Sequence, residues 1–425
     1  MPPMTKKVLS FSTIGIALVL LFSFIAELYR VKGFLLIDLF VPLFAASWLG
    51  LKFLKRDPIK LPSTVLPAAL FFFLGFSSLL INSTGMENGE VLGAAFYGVR
   101  WAGFYFLSVI VCSQNTEEKH LTLWMLFAFT LVLCVAGFVQ LDVMPDFTAM
   151  EALGWDPHTD RLLATWYDPN FVGGFLAFML PLILGTAWDY KRARKWLLPM
   201  AFIVLVALAL TLSRSAYLAL MAGLFVFGLF RSIKLLAGLA VVLVLMLAIL
   251  SPVQARFLSL VDNLESFFVE DYTLPDASAR LRFASWDEAW QLFLEEPIIG
   301  QGYNRYKYAA LELGTLKDLA IHSASGGDSS LLNVLAMTGI LGFFPFFLVY
   351  FLLAKKAWHL RKTGYGLGFL AALCGLFVHS IFVNSLLFPL FMAPFWISAG
   401  LLTQTNEPVF EWPRFVQQKM DSWKR

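Results

Sequence analysis

Charge is scarce in this sequence: Asp, Glu, Lys and Arg make up only 14% of its 425 residues. A soluble globular chain carries about a quarter. With so little polar surface to offer water, the chain is not a soluble globule. Cysteine is scarce too. Cys112, Cys134 and Cys374 sit in apolar stretches, without metal or redox spacing, and read as small buried hydrophobes. No disulfide framework follows from them. The sequence has no D-x-D pair for a metal-bound nucleotide sugar, no Walker loop, no metal-ligand histidine cluster and no G-x-S-x-G. No basic patch with interleaved aromatics lies outside the apolar runs, so nothing suggests nucleic acid as a partner and none is expected. No internal repeat or low-complexity segment is evident. No metal or other cofactor is expected.

What the chain has instead is hydrophobicity: 59% of residues are hydrophobic and the mean hydropathy is +0.73. Apolar runs long enough to cross about 30 Å of hydrocarbon fall near 8–27, 34–54, 64–82, 91–112, 121–141, 171–188, 196–213, 215–230, 233–251, 331–353, 366–386 and 388–403. The expected fold is an all-α polytopic membrane protein with about twelve transmembrane helices, one membrane domain over 1–425. The first run has a basic start at Lys6-Lys7 and no small-residue cleavage site, so it reads as a retained helix.

Lys and Arg placement sets orientation. With the N terminus in the cytoplasm, LKFLKRDPIK, DYKRARKW, Arg231 with Lys234, AKKAWHLRK and the tail WPRFVQQKMDSWKR all fall inside, and acidic STGMENGE falls outside. Both termini are then cytoplasmic. Two longer segments lie outside, about 142–168 and about 252–330, the second between helices 9 and 10. Within it Phe283, Trp286, Trp290, Phe293 and Leu294 repeat at helical spacing. That amphipathic helix lies on the membrane surface, caps the bundle, or only packs against neighbouring loops.

Charges at membrane depth are expensive and mark function by default. Arg100 lies about ten residues into the fourth run, near mid-bilayer at about 1.5 Å per residue. It either meets substrate or pairs with a carboxylate on another helix. Arg214, in LTLSRSAYLAL, is a cation flanked by Ser213 and Ser215 in a tight outer turn. An anion site is favoured there over a snorkelling arginine. Arg280 and Arg282 open the amphipathic helix, with Asp276, Asp287 and Glu288 as alternative ion-pair partners. Gly300 and Gly302 permit a tight turn. His322 and Asp328 lie just before the tenth run. Either is a general-base candidate, although Asp328 with Ser329 can also cap the following helix. Asp168-Pro169-Asn170 reads mainly as a helix cap with proline in the first turn. If phosphate is handled here, arginine must do it, and its fork binds phosphate oxygens bidentately.

Four segments together resemble the O-antigen ligase and O-antigen polymerase superfamily of bacterial envelope enzymes: TLSRSAYLAL, R-x3-W from Arg282 to Trp286, P-x2-G-x-G from Pro297 to Gly302, and DSSLLNVLAMTGILG. The resemblance covers about 160–345. It implies metal-independent, inverting transfer of a glycan from a polyprenyl (undecaprenyl) pyrophosphate carrier to an acceptor hydroxyl on a glycan, lipid or protein. The place would be the outer face of the bacterial cytoplasmic membrane, with membrane lipid around it. It further implies that Arg214 and Arg282, with Arg280 as the register alternative and Arg100 as a further cation, bind the pyrophosphate. The ligase branch has a histidine about ten residues before a G-x-x-G. Counting back from Gly339 and Gly342 puts Asp328 there, with His322 six residues early, so the polymerase branch stays open. Asp328, or His322 as second choice, would take the acceptor proton. A transporter of lipid-linked glycan and a scaffold for envelope assembly are the alternative readings.

Overall fold

The computed structural model describes residues 9–28, 30–31, 34–153, 156–231, 277–316, 326–402 and 409–410, with scattered positions between 233 and 254. The expected ninth run, Lys6-Lys7, the loop segments 255–276 and 317–325, and the C-terminal tail lie outside the described residues or almost wholly so.

The described chain is helical. In order come α1 (Phe11–Ile25), α2 (Leu36–Lys55), α3 (Val65–Ile81), α4 (Asn88–Ser113), α5 (Thr116–Val143), α6 (Pro169–Asp189), α7 (Arg194–Leu210) and α8 (Arg214–Arg231). Then follow α9 (Ala277–Glu295), α10 (Tyr306–Leu313), α11 (Ser330–His359), α12 (Gly364–Phe382) and α13 (Pro389–Leu401). Two antiparallel pairs of two-residue strands, Arg30–Val31 with Phe34–Leu35 and Ile59–Lys60 with Val409–Phe410, only pin loops. Nine described segments are long and apolar enough to cross a membrane, and α3 and α13 are shorter apolar helices. The protein is a multi-pass membrane protein. Each of these helices coincides with one of the twelve apolar runs read from the sequence.

Local chemistry sets where the helices start. Ser10 caps α1, Asn115 and Glu118 form a capping box on α5, and Thr363 caps α12. Each side-chain oxygen satisfies an amide that the first helical turn leaves unpaired. Asp168 caps α6, accepting from the amides of Asn170 (2.6 Å) and Phe171 (3.2 Å), with Pro169 in the first turn. This is the arrangement read from the sequence.

Lipid gives helices no hydrophobic reason to associate, so close packing must. Glycines mediate it where α12 meets α6 and α8. A Cβ at Gly185, Gly368 or Gly375 would strike the backbone carbonyl of Gly364, Pro181 or Ala219. This triad is tightly closed and fixes the relative height of three helix ends. The bundle has two chemically distinct ends. At one, Asp189 accepts from the amides of Gly364 and Tyr365, Tyr190 meets His120, and Arg231 lies over Trp188. That end carries the basic turns. At the other, Trp166 Nε1 donates to Ser23 O and the amide of Leu162 donates to Leu210 O. The described residues of the 144–168 segment are folded onto α5 and α7 there.

Helix α11 is not continuous. Gly339 has φ +58° and ψ −168°, which breaks it inside its apolar run. The P-x2-G-x-G loop fills the break. Gln301 and Gly302 amides donate to the carbonyls of Ala336 and Met337, and the amides of Ile340 and Leu341 donate to Pro297 O and Ile298 O. From α3, Ser78 Oγ donates to Ile299 O, and Asn82 Nδ2 donates to Gly300 O at 2.9 Å. Backbone groups freed by a break in an apolar helix must be satisfied by protein, and here a loop does it. Gly300 (φ +72°) and Gly339 are both required: a Cβ on either would collide with the other's strand of backbone. Gly300→Ala and Gly339→Ala should each destabilise the fold by at least about 2 kcal/mol, read as lost membrane-fraction yield and lowered Tm in detergent. Gly50→Ala, whose Cβ would meet nothing within 4 Å inside α2, should lower neither.

Candidate functional site

The end opposite the basic turns gathers most of the polar residues that the sequence singles out. It starts from the turn between α7 and α8. Leu212 adopts φ +51°, and Arg161 from the 144–168 segment holds the turn in place. Its Nε donates to Thr211 O at 2.9 Å and its Nη2 to Leu212 O at 3.4 Å. A guanidinium on the last carbonyls of a helix also meets the negative end of its dipole. Asn170 Oδ1 accepts from Ser213 Oγ (2.9 Å) and from Arg161 Nη2 (3.5 Å). Arg214 is thus presented, half-buried, in the first turn of α8, with buried Ser213 and Ser215 on either side and their hydroxyls 3.1 Å apart.

Arg282, on α9, is close enough to Asp168, Asp328 and His379 for their charges to interact. It is half-buried and Arg280 is exposed. Two residues turn a helix through about 200°, so only one of the pair faces the bundle, and it is Arg282. The next inward turn of α9 brings Ser285, whose Oγ accepts from the amide of Asp328 at 2.9 Å. Asn333 grips Gly327 from the other side, Oδ1 accepting from its amide and Nδ2 donating to its carbonyl, both at 2.8 Å.

Asp328 itself does not cap α11. Ser329 is the cap, accepting weakly from the amide of Leu332 (3.4 Å) while donating to Ser380 O (3.3 Å). The carboxyl of Asp328 is therefore left out of the cap. Burial raises its pKa first, Arg282 pulls it back, and Asp168 and Asp156 push it up again. Asp168 is likewise raised, burial outweighing its two amide bonds and the nearby Arg161 and Arg282. Beside Asp328, burial and Glu288 raise the Tyr306 phenol.

Arg100 is placed differently. Its Nη1 pairs with buried Asp38 Oδ1 of α2 at 3.3 Å, Arg100 itself being half-buried, and its guanidinium lies 4.2 Å from the Tyr97 ring centroid. This is the interhelical ion pair that the sequence offered as its alternative to a substrate contact. His322 lies outside the described residues.

Residues 199–347 match the family described as O-antigen ligase. The match covers about a third of the chain and supports the resemblance of this segment to the O-antigen ligase and polymerase superfamily. No curated protein matches the chain. The family segment contains Arg214, Arg280, Arg282, the break in α11 and its filling loop, His322 and Asp328. Asp168, Arg161 and His379 come from outside it. Sequence reasoning missed Arg161 and His379. For His379 a signal existed, a titratable side chain within an apolar run. For Arg161 there was none, because only the fold shows which carbonyls it meets.

Arg161→Lys removes the fork that spans two carbonyls while keeping the charge. Hydrogen exchange over Leu212–Ser215 should accelerate at least about tenfold in this variant, with exchange in α2 unchanged. Equal protection in variant and parent would mean that the turn stands without Arg161.

Proposed function

We propose that this protein transfers a glycan from a polyprenyl-pyrophosphate carrier to an acceptor hydroxyl at the outer face of the bacterial cytoplasmic membrane. The observation that carries the reading is the position of Arg282: a half-buried cation set between Asp168 and Asp328. The ends that begin α6, α8 and α11 lie on the same side of the bundle. Helix N-termini and guanidinium groups both favour an anion. Because the basic turns gather at the opposite end, the positive-inside rule puts this end outside and both termini in the cytoplasm.

In this reading Arg282 and Arg214 hold the pyrophosphate at headgroup depth while the polyprenyl tail stays in lipid. Arg280 turns away and Arg100 is held by Asp38, so neither belongs to the set. Asp328 takes the proton from the acceptor hydroxyl. The acceptor oxygen bonds to the anomeric carbon from the face opposite the pyrophosphate, and the bond from that carbon to the pyrophosphate oxygen breaks. The electron pair stays on the leaving pyrophosphate, and the configuration inverts. Cations fixed in advance in a partly dry site stabilise that developing charge more than water does. His322 remains the second choice for the base.

Arg282→Ala and Arg214→Ala should each cut transfer by at least about 100-fold with membrane insertion intact; near-parental activity in either would sink the site. In a deletion strain, surface glycan separated by gel electrophoresis should change. A ladder collapsing to one repeat indicates polymerisation. Lost glycan with accumulating lipid-linked chains indicates ligation, and an unchanged profile favours a transporter or scaffold. The pH profile follows from Asp328. A base with a raised pKa loses its working form as pH falls through that value, so the acid limb should lie above the ordinary carboxylate range. Asp156→Asn removes a like charge and should move the limb to lower pH; a limb that stays put or moves up contradicts the assignment.

A further inference from the structure

At the end of the bundle that carries the basic turns, two arginines lie on one indole ring. Trp188 stands near the end of α6. The guanidinium carbon of Arg231, which closes α8, is 4.2 Å from its ring centroid, and that of Arg194, which opens α7, is 5.5 Å from it. Phe230, next to Arg231, meets Trp358 of α11 edge to face at 5.2 Å. Arg361 repeats the arrangement, 4.4 Å from the Trp358 centroid. A guanidinium over an aromatic face is held by the negative charge of that face. Sharing one ring keeps Arg194 and Arg231 within about 10 Å of each other, the range over which charges still interact in 0.1 M salt.

Two features set these arginines apart from the other cations at this end. Lys191, Arg192, Lys195, Lys355 and Lys362 are exposed, whereas Arg194, Arg231 and Arg361 are half-buried beside indoles that are themselves exposed. A cation that only marks a loop reaches for water; these three are pinned to rings. Their charge is also left without a counter-charge. The stretches 182–213, 215–236 and 340–365 contain one acidic residue, Asp189, and it is taken up by the amides of Gly364 and Tyr365. Among the described residues no carboxylate pairs with Arg194, Arg231 or Arg361. Arg194 donates to Ala187 O at 2.8 Å and Trp188 O at 3.3 Å. Arg231 makes no hydrogen bond with a described residue.

We propose that Arg194 and Arg231, held on Trp188, bind the phosphate of an anionic phospholipid, with Trp358 and Arg361 bordering the site. Arginine binds phosphate oxygens through its planar fork and stays charged. Tryptophan rings sit at headgroup level, where a phospholipid phosphate is always at hand. Exposed Leu229 and Phe230 lie beside Arg231 on α8 and offer acyl chains an apolar surface that a free phosphate has no use for. The missing carboxylate sets the preference. A zwitterionic headgroup brings its own ammonium, which three guanidinium groups repel and no carboxylate receives; an anionic headgroup brings none. This site lies at the end opposite Arg282 and Asp328, and it does not depend on glycan transfer.

The full chain in detergent would be titrated with phosphatidylglycerol and with phosphatidylcholine of the same acyl chains, and bound lipid counted by native mass spectrometry. The parent should hold one phosphatidylglycerol at least about tenfold tighter than phosphatidylcholine. Arg231→Gln should remove about fivefold of that preference, the worth of one basic residue at an anionic lipid surface. Arg194→Gln would also break two bonds to α6 carbonyls, so Trp188→Leu is the second variant. It keeps every charge but frees both arginines from their ring, and should cut the preference at least about twofold. Lys355→Gln removes an exposed cation at the same end and should change it by less than about twofold. Equal losses in Arg231→Gln and Lys355→Gln would mean a diffuse positive field, and would overturn the site. A parent that binds the two lipids alike overturns it too. Displacement of phosphatidylglycerol by equimolar inorganic phosphate would make this a free-phosphate site and overturn the lipid assignment.

Discussion

The break in α11 at Gly339 is the constraint on which the candidate site depends. A broken helix in an apolar run leaves amides and carbonyls that lipid cannot satisfy. The Pro297–Gly302 loop supplies the missing partners, and Ser78 and Asn82 of α3 lock that loop in turn. The loop follows α9 directly, so anchoring it also fixes the end of the helix that carries Arg282. Asp328 directly precedes Ser329, the cap of this same broken helix. The two motifs that look separate in sequence, P-x2-G-x-G and G-x-x-G, are halves of one joint. Its product is the spacing between Arg282 and Asp328.

A second constraint works from the opposite side. The glycine contacts of α12 with α6 and α8 set three helix ends at one level. Asp168, Arg214 and His379 project from those ends. Segments that cross between them are tightly wound: apart from Arg56, all non-glycine residues with positive φ among those described (Asp160, Ala164, Tyr167, Leu212 and Asn304) lie in loops at the site's end. Such conformations persist only where surrounding contacts hold them. The bonds of Arg161 to Thr211 and Leu212, and of Gln140 to the amide of Leu163, are contacts of that kind.

Much of this was legible in the sequence, because lipid imposes simple rules. Span length and Lys and Arg placement marked the helices and their two ends, and Asp168-Pro169 announced its cap. What could not be read was whatever depends on a neighbour. Arg280 and Arg282 are equivalent as letters, and only the face of α9 turned to the bundle separates them. Asp328 and Ser329 are both good caps, and the structure gives the cap to Ser329. The run 331–353 reads as an uninterrupted helix, since a filled break leaves the run predominantly apolar. Only Gly339 and Gly342 hinted at it.

The electrostatics of the centre then follow from its geometry. Two carboxylates near one guanidinium cannot both ionise freely in a partly buried space. Asp168 already has a task, holding two amides of α6, and those bonds favour its charged form. Asp328 has no such bond from its cap. The proton that the pair finds hardest to lose therefore belongs on Asp328, and Arg282, which both feel, sets how hard. An anion arriving at Arg282 would draw that charge away from Asp328 and raise its proton affinity further. Occupation of the cationic half of the site would thus make the carboxylate beside it a stronger base, at the moment when an acceptor hydroxyl needs one.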